Sequence, residues 1–151
     1  MQKKPASILL ALCIAALPVL AQSSTPELTK QFTNAAQQLS TMAFGSGSPV
    51  TIRGRISTLI WPEGSSGMML VEVNGGTEKY AFSTARVPQM AKQGFSRFTM
   101  QPGEEVIVTG VLANGGQKIG PGFMAARADL ITKSDGTRVF DRTRLPGDKS
   151  K

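Results

Sequence analysis

The side chains that most often carry catalysis are scarce in this sequence. It has no histidine and a single cysteine, Cys13. A Ser-His-Asp or Cys-His constellation is therefore excluded, and so is a histidine-ligated metal. Carboxylates are the next choice for acid–base work. Glu104 and Glu105 are adjacent; on a strand they face opposite sides and cannot work as a pair. Asp129 stands two positions from Arg127, the spacing of a same-face ion pair on an outer sheet surface, worth under about 1 kcal/mol if exposed. No catalytic residue is assigned, and the expectation is a protein that is not an enzyme and takes no cofactor.

Softer ligands and backbone cradles remain. Met42, Met68, Met69, Met90, Met100 and Met124 come after the N-terminal segment, and thioethers bind Cu(I). That makes envelope copper handling the alternative role. Met68 and Met69 adjoin and must diverge on a strand, and the others are scattered, which is the pattern of core filling. No metal ligand is assigned. The loop at residues 114–122 (NGGQKIGPG) could cradle an anion with its amides and Lys118, but it lacks the Gly-Lys-Ser/Thr signature of a P-loop.

The first segment reads as an address. Lys3 and Lys4 precede an apolar run from position 8 to 20, and Val19 and Ala21 are small residues ahead of Gln22. This is a secretory signal with cleavage between Ala21 and Gln22. The run is shorter than the roughly 20 residues needed to cross a bilayer, so no stable membrane insertion is expected after cleavage. Cys13 lies inside the discarded segment. The mature chain is then expected in the periplasm or outside the cell. The formal net charge is +7 over 151 residues. Arg138, Arg142, Arg144, Lys149 and Lys151 make the tail the densest basic stretch, interleaved with Asp141 and Asp148. Such a bias could favour anionic surfaces or acidic partners, but a solvated tail kept soluble by its charge is the preferred explanation.

Behind the address, residues 25–42 form an amphipathic helix, with Thr25 as cap and Pro26 in its first turn. Leu28, Phe32, Ala35, Ala36, Leu39 and Met42 share one face. Residues 44–49 end it and serve as a linker. The period then changes to two. Val50, Ile52, Gly54, Ile56, Thr58 and Ile60 alternate with Thr51, Arg53, Arg55, Ser57 and Leu59, a long half-buried strand. Gly54 marks a bulge or a bend within it. Strands come next at 68–73 and 78–84, joined by the Asn74-Gly75-Gly76 turn, with Tyr80 and Phe82 facing inward. A short helix at 86–93, strands at 104–113 and 123–132, and a short return at 138–140 complete the pass.

Three strands, a short helix and two strands is the order of an OB-like five-stranded barrel; a five-strand meander sandwich is the rival. The chain divides into a signal (1–21), a helix and linker (22–47), the barrel domain (48–140) and a flexible basic tail (141–151). OB barrels bind through strands two and three and the loops after strands one and four. Those loops here are 62–67 and 114–122, and the ligand-binding candidates beside them are Trp61, Arg53, Arg55, Lys79 and Lys118. Aromatic content is 6% and the charge is dispersed, so a nucleic acid partner is not expected. The reading is an exported binding or accessory module for a small ligand or an envelope protein.

Residues 48–140 resemble the DUF6152 family of small exported bacterial proteins of unknown function. Residues 48–54 (SPVTIRG) are similar to its opening pVtltGtV strand, and residues 82–95 to its gsPnaLlrrGW segment. Residues 102–110 (PGEEVIVTG) are similar to pGdeVtVtG, and residues 125–132 with Asp135-Gly136 to its closing strand and turn. Trp61-Pro62 stands where that family carries Trp-x-Asn-Pro-His, and here it runs into Glu63-Gly64. The family's histidines, which imply a metal or polar site, have no counterpart. The resemblance implies a divergent member that keeps the scaffold without that site.

Overall fold

The computed structural model describes residues 25–96 and 98–146. The signal segment, its cleavage point at Ala21 and Gln22, and Lys149 and Lys151 lie outside the described residues. Helix α1 (Thr25–Thr41) precedes strands β1 (Pro49–Ile60), β2 (Ser66–Val73) and β3 (Glu78–Arg86). Helix α2 (Val87–Ala91) is next, then β4 (Glu105–Leu112), β5 (Lys118–Ile119), β6 (Phe123–Lys133) and β7 (Arg138–Asp141).

Antiparallel pairing runs β3-β2-β1-β4-β6, and a parallel pairing of β3 with β6, Tyr80 opposite Met124 through Ser83 opposite Arg127, closes the ring. This closure makes the five long strands an OB-like barrel and excludes the meander sandwich, whose sheets would stay open. β1 can serve two partners because it turns midway. Residues before Gly54 pair with β4, those after it with β2, and Arg55 faces both Glu105 and Glu72. A Cβ on Gly54 would lie 2.6 Å from the Glu72 carbonyl oxygen. The glycine is what lets the second strand come so close.

One alternation departs from the simple pattern. The β1–β2 register shifts between Ile56 and Thr58. The extra residue of this bulge, Ser57, reverses the facing of the residues after it. Leu59 joins Ile52 and Ile56 in the barrel interior, whereas Ile60 packs on the outer face. The Asn74–Gly76 segment does turn the chain between β2 and β3, within a four-residue loop between the paired Val73 and Glu78. Asn74, Gly75 and Gly76 have φ of 50°, 68° and 92°, the left-handed region that glycine and asparagine enter most readily.

The interior is filled by Ile56, Met69, Val71, Tyr80, Phe82, Val106, Val108, Ala126, Ala128 and Ile131. Met90 of α2 is fully buried, and Phe95 and Met100 join it, so the short helix and its loop close one end of the barrel. A second apolar layer lies outside. Ala36 and Leu39 of α1 bury against Met68, Leu70, Ala81 and Ala125. β2 is therefore covered on both faces, which is why its run from Met68 to Val71 is apolar without alternation.

Packing continues beyond residue 140. Arg142 lies between β3 and β6, its Nε 3.0 Å from the Ala128 carbonyl oxygen and 3.3 Å from Asp129. Leu145 is buried in the interior cluster. The ordered body thus extends past the boundary that the alternation suggested. Short-range periodicity carries no signal of contacts made back across the barrel.

Candidate functional site

The five residues singled out from the sequence do not converge on one site. Trp61 sits at the β1–β2 turn, its ring edge-on to Phe95 at 5.1 Å. It lines a hollow of about 360 Å³ with Pro62, Arg86 and Pro88. Arg53 and Arg55 flank the bend of β1. Arg53 pairs with Glu105 at 3.7 Å, and Arg55 donates to the Gly103 carbonyl at 3.0 Å. Lys79 lies 3.9 Å from Glu72 and over the Phe123 ring at 5.6 Å. Lys118 is exposed on β5, opposite Met124. No single ligand contact is built from these side chains together. Arg53 and Lys79 are engaged by the surface carboxylates beside them.

The acidic groups are likewise absorbed by structure. Arg127 and Asp129 form the same-face pair at 2.9 Å, and Arg142 adds a second cation. Glu104, which immediately precedes β4, reaches Lys133, and Glu105 reaches Arg53, so each carboxylate has its own cation. Met69 fills the interior and Met68 the outer layer, so the adjacent thioethers diverge. Among the described residues, no three His, Cys, Asp or Glu side chains group as metal ligands. Tyr80 and Phe82 stack inside the barrel with centroids 6.0 Å apart. Burial, with Glu78 beside it, pushes the Tyr80 phenol above its ordinary value, which makes it a poor proton donor at neutral pH. Among the described residues no helix is long and apolar enough to cross a membrane.

A further hollow has a different origin. α1 crosses the outer face of β2, the face OB barrels use for ligands. It leaves a groove of about 500 Å³ between itself and the loop that enters β6. Phe32 and Ala35 form one wall, Met68 and Leu70 the floor, and Ile119, Pro121 and Phe123 the other wall; Gln31, Asn34 and Gln38 line it from the helix. Among the described residues, no ionisable side chain lines it. The volume falls within the roughly 300–1,000 Å³ of small-molecule sites, and such sites are mostly apolar with a few placed polar groups.

The 114–122 loop was a sequence-based candidate, and its end does contribute here. Strand two was expected to bind ligands, but no side chain of β2 or of α1 was among the ligand-binding residues named. The available signal was β2 itself: a strand apolar on both sides requires cover on both sides, and the long amphipathic stripe in the sequence is α1's. No known family model matches this chain, and no curated protein is similar to it.

Proposed function

We propose that the protein is an exported, periplasmic and non-enzymatic binding module, which holds a small, uncharged, largely apolar ligand in the groove between α1 and β2. The groove carries the reading. Its walls are aliphatic and aromatic, and the helix supplies amides that hydrogen-bond a ligand's neutral polar group without selecting for charge. The positive start, the apolar run and the Val19-x-Ala21 end support export. The ordered segments across residues 48–140 support a divergent DUF6152-like scaffold, and the chain lacks the histidines that would give it that family's polar site.

Ala35 is half-buried in the groove wall, so Ala35→Trp fills the space from the helix side. Titration of the purified chain with a neutral fluorescent apolar probe, N-phenyl-1-naphthylamine, tests the reading. The wild type should bind with saturable enhancement, and Ala35→Trp should weaken binding at least about tenfold, 1.4 kcal/mol, at an unchanged unfolding midpoint. Absence of saturable binding, or equal binding by both, defeats the proposal. Capture of a helical peptide in place of the probe would transfer the groove to a protein partner.

A further inference from the structure

Away from the groove, where α2 ends beside β7, three cations surround one hollow. Lys92, Arg138 and Arg144 line a space of about 240 Å³ with Gln93, over Val139 and Phe140. Val139 and Phe140 are buried and give it a rigid floor. We propose that this hollow is a binding site for a phosphate group, free or carried by a phosphomonoester.

The arrangement is built rather than incidental. The Gln93 side chain donates to the Asp141 carbonyl at 2.8 Å and accepts from the Asp141 amide at 3.0 Å. That fixes Asp141 relative to α2. One oxygen of its carboxylate is taken by Thr143, through the hydroxyl at 2.6 Å and the amide at 3.1 Å. The other receives both Arg138 and Arg144, at 3.3 and 3.4 Å. Two guanidiniums thus share a single carboxylate oxygen. One ion pair would satisfy the carboxylate; the second guanidinium and Lys92 leave an excess of positive charge at the hollow. The guanidiniums keep further N–H groups for a ligand, being 50% and 63% exposed. Planar, forked donors held in place recognise the oxygens of a phosphate, and a lysine adds a mobile point charge. The basic tail noticed in the sequence has here a shape as well as a charge.

Calorimetric titration of the purified chain with inorganic phosphate at low ionic strength tests the proposal. Saturable binding is expected, weakened about tenfold by Arg144→Gln and by Lys92→Gln, and not by Lys30→Gln, which removes an exposed cation on α1. Arg138→Lys keeps the charge and loses the fork; it should also weaken binding, at an unchanged unfolding midpoint. Absence of saturable heat, or equal weakening by Lys30→Gln, overturns the site, because the effect is then one of net charge alone. Flotation with phosphatidylcholine vesicles, with and without phosphatidic acid, distinguishes the sources. Capture by phosphatidic acid that phosphate reverses assigns the site to a lipid headgroup. Phosphate binding without capture assigns it to a soluble phosphomonoester.

Discussion

The side-chain amide of Gln93 holds both backbone groups of Asp141, two hydrogen bonds at 2.8 and 3.0 Å across 48 positions of sequence. It mimics one rung of a sheet ladder and ties the helical end of the barrel to its last strand. Gln93→Ala leaves both Asp141 backbone groups without this partner in a part-buried place. A net hydrogen bond contributes about 1 kcal/mol, so the variant should lose about 1–2 kcal/mol in urea denaturation. Gln93→Glu keeps an acceptor for the Asp141 amide and loses the donor; it should fall between the two. A wild-type midpoint for Gln93→Ala would show that the pair is ornamental.

Acid should remove a second contribution at the same corner. The Thr143 hydroxyl, then its amide and the guanidiniums of Arg138 and Arg144, hold the Asp141 carboxyl below its ordinary value of 3.8 despite an opposing effect of burial. A carboxyl with a depressed folded pKa stabilises the fold above its unfolded pKa, and the contribution disappears as pH falls through the folded pKa. Stability measured from neutral pH downward should therefore drop below about pH 4. Asp141→Asn should be less stable at neutral pH and lose less on acidification. Asp135 is held low in the same direction, chiefly by Thr137, so an acid limb persists in that variant. Parallel acid limbs in the wild type and Asp141→Asn would contradict the assignment.

Part of this structure was legible in the residues and part was not, and the dividing line is physical. Gly54 announced a bend because a strand interior seldom tolerates glycine without one. Tyr80 and Phe82 announced the interior by their spacing, and Arg127 and Asp129 their pairing by the same period of two. All three are facts about near neighbours in the chain. The Ser57 bulge was not visible, since a register shift belongs to two strands at once and reverses Leu59 and Ile60 without any change in local composition. The reach of Arg142 back to Asp129 was hidden for the same reason. The groove was further hidden because three segments distant in sequence create it together: α1, β2 and the loop entering β6.

Close backbone approach yields a third prediction. A Cβ on Gly110 would collide with the Arg127 carbonyl, and one on Gly54 would press on both the Glu72 carbonyl and Val71. Backbone cannot swing aside as a flexible side chain can, so the strands would have to part where β4 meets β6 and β1 meets β2. Overpacking typically costs about 1–3 kcal/mol, occasionally more. Gly110→Ala and Gly54→Ala should each reach the upper part of that range by equilibrium denaturation. Gly45→Ala is the control, since its Cβ meets nothing within 4 Å. Tolerance at Gly110 equal to that at Gly45 would mean that the two strands are not in the register described.

The last prediction concerns how α1 is held. Leu39 is 1% exposed, against Met68, Leu70 and Ala81 outside the barrel. Leu→Ala at a buried site costs about 2–5 kcal/mol when the surroundings cannot relax. Here the helix can lift, so the loss is capped by the free energy of docking α1. Hydrogen exchange separates the two cases. If α1 is an independently docked layer, Leu39→Ala should lower amide protection in residues 30–41 while β1, β4 and β6 keep theirs, as local opening requires. A uniform fall in protection would instead make helix and barrel one cooperative unit. The groove depends on this distinction, because α1 forms one of its walls and a helix that opens separately takes that wall away while the strands beneath it stay folded.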